Sequence, residues 1–283
     1  MQHEPTSAVW QLRRPGGALA LLRKFWAVLS ITVAARFAYV GELLVRTIFL
    51  ILILYIFSQL WRATNASTAD GVLGLTGFSI AQLIWYLAFT EAMVMSATPP
   101  EVDREVRSGD IAYRLARPLP YPLYHLGAML GERLLRFGLN LLVGAGVALL
   151  AVGPITITPL ALLAALTTGV VALFADRLIA FMIGLIAFWV EDVSGLYLLY
   201  SRAVMILGGT LIPLEAYPRW LEAVARALPL QYLMYQPARL LVSADLASWL
   251  RVLGVQAVVI AVTLVPLLLI YRLGLRRVNA QGG

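Results

Sequence analysis

Ionisable side chains are sparse in this chain, and two sets of them bear on the chemistry it could do. Four stand inside long apolar runs: Glu91, the adjacent pair Asp176 and Arg177, and Arg202. A charge at the depth of a bilayer is costly, and marks either a transport or proton route or a pair that fixes helix packing. The second group is PPEVDREVRSGDIAYRLARP, residues 99–118, where Glu101, Asp103, Glu105 and Asp110 are set against Arg104, Arg107, Arg114 and Arg117. Asp103, Glu105 and Asp110 could serve a membrane-embedded, lipid-modifying enzyme as metal ligands. Arg104 and Arg107 are interleaved with them, however, and a hard-cation site favours oxygen ligands without competing guanidinium groups.

Neighbouring helical residues point about 100° apart, so Asp176 and Arg177 should each seek a partner on another helix. Arg202 is the candidate for Asp176 or Glu91. Structural pairing is favoured over proton-coupled carriage, which needs an unpaired carboxylate facing water and usually comes with inverted repeats that this sequence does not display. Cysteine is absent and histidine is limited to His3 and His125, which sets redox and metal chemistry aside. There is no G-x-x-x-x-G-K-[ST], H-E-x-x-H or G-x-S-x-G motif. Catalytic, cofactor-binding and metal residues are therefore not assigned, and any ATP this protein uses must bind another chain.

The elements that hold these residues belong in lipid. Hydrophobic residues make up 61% of the chain and charged ones 13%, with a mean hydropathy of +0.84, a balance foreign to water-soluble globules. The apolar runs are long and do not alternate, so helices rather than strands satisfy the backbone. The expected fold is an all-α polytopic membrane bundle. Its six candidate spans cover about 40–61, 74–96, 129–152, 159–190, 194–213 and 251–272. Arginines clustered beside apolar spans account for the net charge of +7 through topology and lipid headgroups, so nucleic acid is not expected as a partner.

Charge asymmetry orients the bundle. Arg13, Arg14, Arg23, Lys24 and Arg36, then Arg104, Arg107, Arg114 and Arg117, then Arg272, Arg276 and Arg277 would share one side. They outnumber Arg62, Arg219, Arg226, Arg239 and Arg251 on the other, while Arg46, Arg133 and Arg136 flank spans at their inner ends. Both termini are thus expected in the cytoplasm. No cleavable signal pattern precedes the first span, which should remain in the mature protein. Residues 18–37 are helical in period with basic residues toward both ends, which suits a helix lying in the interface.

Between spans two and three, Val102 and Val106 fall one turn apart and Gly109 follows as a stop, describing a short amphipathic helix. Its mixed charge suits a soluble protein partner more than lipid. Between spans five and six, Trp220, Leu221, Val224 and Leu228 recur at helical spacing, but Pro213, Pro218, Pro229 and Pro237 interrupt the segment too often for it to cross the membrane. Short helices dipping into the outer leaflet are expected there. Gly144 and Gly146 permit close helix approach in span three.

Two stretches carry a resemblance: GGTLIPLEAYPRWLEAVARALPLQYLMYQPARLL (208–241) and SGDIAYRLARPLPYPLY (108–124). Over about residues 17–277 the chain resembles ABC transporter permeases of the type-2 exporter class whose ATPase is a separate polypeptide. The resemblance implies a permease subunit that is not itself an enzyme, in the cytoplasmic membrane of a bacterium. It would pair with a second permease, identical or homologous, and with two ABC ATPase subunits that bind ATP and Mg. It also implies a cytoplasmic tail (1–17), a connecting helix (18–37) and a six-span domain (38–277), with a second tail at 278–283. Within the six-span domain lie a coupling segment (97–120) and an outer re-entrant segment (209–240). Coupling would fall on Glu101, Asp103, Arg104, Glu105, Arg107 and Gly109, and the outer gate on Gly208, Gly209, Pro213, Pro218 and Trp220.

Overall fold

The structure is a computed structural model that describes residues 18–37, 40–67, 77–115, 119–190 and 192–281. The segment 1–17, with Arg13 and Arg14, lies outside the described residues, as do Arg117 and the last two positions. The described secondary structure is all helical: α1 Ala18–Phe37, α2 Val40–Ser67, α3 Ile80–Met95, α4 Val102–Ser108, α5 Asp110–Leu115 and α6 Tyr121–Val152 come first. They are followed by α7 Pro159–Leu185, α8 Ser194–Leu207, α9 Arg219–Ala227, α10 Tyr235–Val242 and α11 Leu246–Gln281. Among the described residues three helical stretches are long and apolar enough to cross a membrane, Tyr121–Val152, Pro159–Phe188 and Leu246–Arg277. Ile48–Thr64, Ile80–Met95 and Ser194–Leu207 are shorter apolar helices. The protein is a helical membrane protein.

Local signals set the ends. Ser79 and Gln82 form a reciprocal capping box at the start of α3, and Thr158 caps α7 just before Pro159, which has no N–H to leave unsatisfied. Pro120 precedes α6 and a second proline stands in its first turn, so this helix begins well before the apolar run at 129 and carries His125 and Arg133 within it. α8 ends at Leu207, short of the expected 213, because the chain turns at Gly208 and at Gly209, whose φ is +66°.

Close backbone approach holds the bundle together. A Cβ at Gly144 would lie 3.3 Å from the Ala88 carbonyl, so α3 and α6 pack at van der Waals range there, whereas Gly146 faces open space. α1 lies across α6 at Gly127 and Gly131, a small-x-x-x-small pair, and a Cβ at Gly131 would come within 2.8 Å of the Leu29 carbonyl oxygen. α10 packs against α7 and α3, burying Tyr235, Ala238 and Leu241 in the same cluster as Tyr86 and Phe89. Gln256 of α11, buried in that region, donates to the carbonyls of Thr168 and Tyr232 and so ties α11 to both α7 and the turn before α10.

Gly274 of α11 receives the ring of Phe188, from which a Cβ would be only 2.2 Å away. Gly274→Ala should therefore destabilise the bundle by about 1–3 kcal/mol, while Gly146→Ala should be near neutral. In thermal unfolding of the detergent-solubilised protein, the Gly274→Ala penalty should shrink in a Phe188→Ala background. Equal penalties in both backgrounds would argue against that contact.

Candidate functional site

The charges within the apolar runs converge unequally. Asp176 of α7 accepts hydrogen bonds from Nη1 of Arg133 on α6, from Nη2 of Arg177 at 3.1 Å and from the Tyr200 hydroxyl of α8 at 2.6 Å. Arg177 also donates to the Thr98 carbonyl at 2.6 Å, which receives the Tyr197 hydroxyl at 3.1 Å, and Arg133 Nε reaches the Ser96 hydroxyl. Both guanidinium groups are fully buried. One carboxylate thus offsets two arginines, and the group joins α6, α7, α8 and the chain just after α3. Arg133 Nη2 and Arg177 Nε have no hydrogen-bond partner among the described residues.

The partner of Asp176 on another helix is therefore Arg133 rather than Arg202, and Asp176 and Arg177, expected to look only to other helices, also bond each other because their side chains turn back toward a shared point. The sequence placed Arg133 at the flank of a span, and only the early start of α6 brings it inside. Arg202 is exposed on α8, with its guanidinium 3.8 Å from Met205 Sδ. Glu91 is buried in α3, and its Oε2 has no hydrogen-bond partner among the described residues.

The charged run folds as two short helices, α4 and α5, with Gly109 between them at φ +77°. Its residues divide by face. Val102 is buried against α7, where a Cβ at Gly184 would lie 2.9 Å from Pro100 Cβ and 3.2 Å from Val102 Cγ2. Glu105, also buried, accepts from the Tyr121 hydroxyl at 2.8 Å and contacts His125 Nε2 at 2.9 Å, while Arg114 Nε stands 2.9 Å from its other oxygen. Burial alone would raise the Glu105 carboxyl, but the contacts with His125 and Tyr121 and the charge of Arg114 outweigh it and hold the group below the usual carboxylate range. Glu101, Arg104 and Arg107 are exposed. Arg104 pairs with Glu101 at 3.0 Å and Arg107 with Asp103 at 3.2 Å, while Asp110 accepts from Ser108.

Sequence reasoning treated the run's charges as one surface. The structure makes Glu105 the inward anchor and leaves Glu101, Arg104 and Arg107 outward. His125 and Tyr121, which complete the anchor, carried no signal beyond being polar near a span's start. Beside α4 opens a cleft of about 690 Å³, bordered by Thr32 of α1, Pro100, Arg104, Arg107 and Tyr124. Asp103, Glu105 and Asp110 each engage different partners, and among the described residues no three histidine or acidic side chains gather to hold a metal ion.

At the opposite end, the chain leaves α8 and folds back through Gly208, Gly209 and a short 3-10 turn begun by Pro213. The Gly209 and Thr210 carbonyls, freed by the helix end, accept from Tyr86 and Thr90 of α3. A Cβ at Gly209 would meet Leu214 at 2.9 Å. Pro218 precedes α9, and Trp220 is exposed on it.

Replacing Asp176 by Asn should leave two buried guanidinium groups uncompensated and cost about 3–5 kcal/mol. Tyr200→Phe should cost about 1.5–3 kcal/mol and Arg202→Gln within about 0.5 kcal/mol, an order that denaturant unfolding in micelles can check. For Glu105 the ionised form favours the docked state, so its contribution is complete above the ordinary glutamate value of about 4.3 and is lost as pH falls through the lowered folded value. Protection of the α4 amides against exchange, taken relative to the intrinsic rate at each pH, should fall on such acidification, and in Glu105→Gln it should be low already at neutral pH.

The sequence also matches the model of a known family. No curated protein matches the chain. The model described as "ABC-2 family transporter protein" matches residues 43–282, most of the sequence and all of the elements from α3 onward that build both ends of the molecule. The chain belongs to the ABC-2 family of transporter membrane proteins.

Proposed function

We propose that this protein is the permease subunit of an ATP-driven exporter, coupled through α4 to separate ATPase subunits that bind ATP and Mg. The observation that carries the reading is the division of α4: Glu105 and Val102 bind the helix to the bundle, while Glu101, Arg104 and Arg107 remain exposed, engaged only in pairs within this segment and open to a soluble partner. A helix held on one face and charged on the other can transmit a push without being detached by it, and charge pairs set its register on a partner. Membership of the family supports the reading, as does the absence of a phosphate-binding loop from the sequence.

In this reading α2, α3, α6, α7, α8 and α11 are six spans, both termini are cytoplasmic in a bacterial inner membrane, and α1 lies along the cytoplasmic interface. The segment 209–240, with Gly208, Gly209, Pro213, Pro218 and Trp220, is the outer gate. Two permeases, identical or homologous, enclose the pathway above two ATPase subunits. ATP-driven closure of those subunits would move α4, and with it the Pro100–Gly184 contact and the inner end of α7. For net transport the cargo must bind the two resulting states unequally.

A second reading attaches to Glu91, whose buried, unpartnered oxygen suits a proton carrier. The two separate by energy source: transport in vesicles that stops on ATP removal and survives collapse of the proton gradient favours the exporter.

Reversing the exposed charges, Arg104→Glu with Arg107→Glu, should reduce co-purification with an ABC ATPase by roughly tenfold or more while leaving the Tm of the isolated chain unchanged. Unaltered ATPase binding and stimulation in that variant would sink the assignment of α4. Glu105→Gln should weaken coupling by undocking the helix, which hydrogen exchange distinguishes from a lost contact.

A further inference from the structure

Three arginines meet in one pocket at the end of the molecule opposite α4. Arg226 at the end of α9, Arg239 of α10 and Arg251 near the start of α11 line a cavity of about 270 Å³, near the lower end of small-ligand sites of roughly 300 Å³. Arg226 is neutralised by Glu222 at 2.8 Å and Glu215 at 3.5 Å. Arg239 and Arg251 form no salt bridge among the described residues; Arg239 sits over the Tyr235 ring, 5.9 Å from its centre.

The acid that lines the pocket, Asp245, is committed to α11. It accepts from the Ser248 amide at 2.9 Å and the Ser248 hydroxyl at 2.5 Å, although its charge is felt by Arg251. Gln231 and Gln236, hydrogen-bonded to each other, form another wall. The cavity thus offers two guanidinium groups that form no salt bridge among the described residues, whose planar donor forks fit phosphate oxygens. Its position supplies a second constraint. Arg251 stands near the start of a helix apolar enough to cross a membrane, and from it Val258, Val262, Val265 and Leu269 run along the same face as an exposed apolar stripe. A molecule that satisfies both features carries an anionic phosphate and a long apolar chain.

We propose that this pocket binds the phosphate of an anionic phospholipid whose acyl chain lies along the exposed stripe of α11. The site would clamp α9, α10 and α11 at their junction. It holds whichever side of the membrane this end faces and whatever drives transport, so it stands or falls apart from the export reading.

The test is native mass spectrometry of the full chain, titrated with phosphatidylglycerol or phosphatidylcholine. Phosphatidylglycerol should be retained preferentially. Arg239→Gln with Arg251→Gln should lower its affinity by roughly tenfold or more, with the Tm of the lipid-free protein unchanged. Arg219→Gln, on α9 but outside the pocket, should retain it fully, and the Lys double variant should keep most of the preference. Equal retention by the wild type and the Gln double variant would overturn the proposal. So would inorganic phosphate binding as tightly as phosphatidylglycerol, since the site would then take a soluble anion.

Discussion

Two guanidinium groups removed from water must share one carboxylate, and much of this structure is arranged around that requirement. Arg133 and Arg177 are fully buried, and a buried charge is tolerable only when paired and hydrogen-bonded. Asp176 supplies the opposite charge, Tyr200 occupies its remaining oxygen, and the Thr98 carbonyl accepts from Nη1 of Arg177. Because these groups come from α6, α7, α8 and the segment following α3, none of those elements can shift far without leaving a charge exposed to hydrocarbon.

The segment that the network fixes at Thr98 runs directly into Pro99, Pro100 and α4. The same few residues that close the charge cluster therefore set where the charged helix starts. Glu105 then repeats the principle at smaller scale, with one carboxylate gathering Tyr121, His125 and Arg114. Tyr121 and His125 lie on α6, the helix that carries Arg133, so both anchors share a rigid element. Gly184 completes the link by allowing Pro100 and Val102 to touch α7. A displacement of α4 would be felt at α6 and α7 together, a geometric basis for mechanical coupling.

The far end solves a different problem with similar means. A helix that stops inside an apolar environment leaves carbonyls without partners. Tyr86 and Thr90 supply hydroxyl donors from α3 to Gly209 and Thr210, and the chain can then fold back so that α10 is inserted against α3 and α7. Gln256 performs the same service between α11, α7 and the preceding turn. Hydroxyl and amide side chains thus tie one helix to another's backbone at each irregular point.

Much of this was legible in the sequence because it depends on local or cumulative properties. The long apolar runs dictated helices in lipid, Pro99, Pro100 and Gly109 punctuated the charged segment, and the prolines between 213 and 237 prevented another span. A small-x-x-x-small reading of Gly127 and Gly131 would have marked that face of α6 for a close helix approach, though not that α1 makes it. Partnership was not legible, because it is decided by which helices become neighbours. Arg202 and Arg133 are both arginines near apolar runs, and spacing along the chain does not say which meets Asp176. Only the packing that brings α6 against α7 buries one and leaves the other exposed. In the charged run, periodicity marked the Val102 and Val106 face for burial but not that a carboxylate would be buried with it, so Glu105 was indistinguishable from Glu101 until Tyr121 and His125 stood opposite it. The sequence by itself determined the solvent and the secondary structure; the tertiary structure alone decided which buried charges meet between helices, since that pairing is a property of distance across helices and not of position along one.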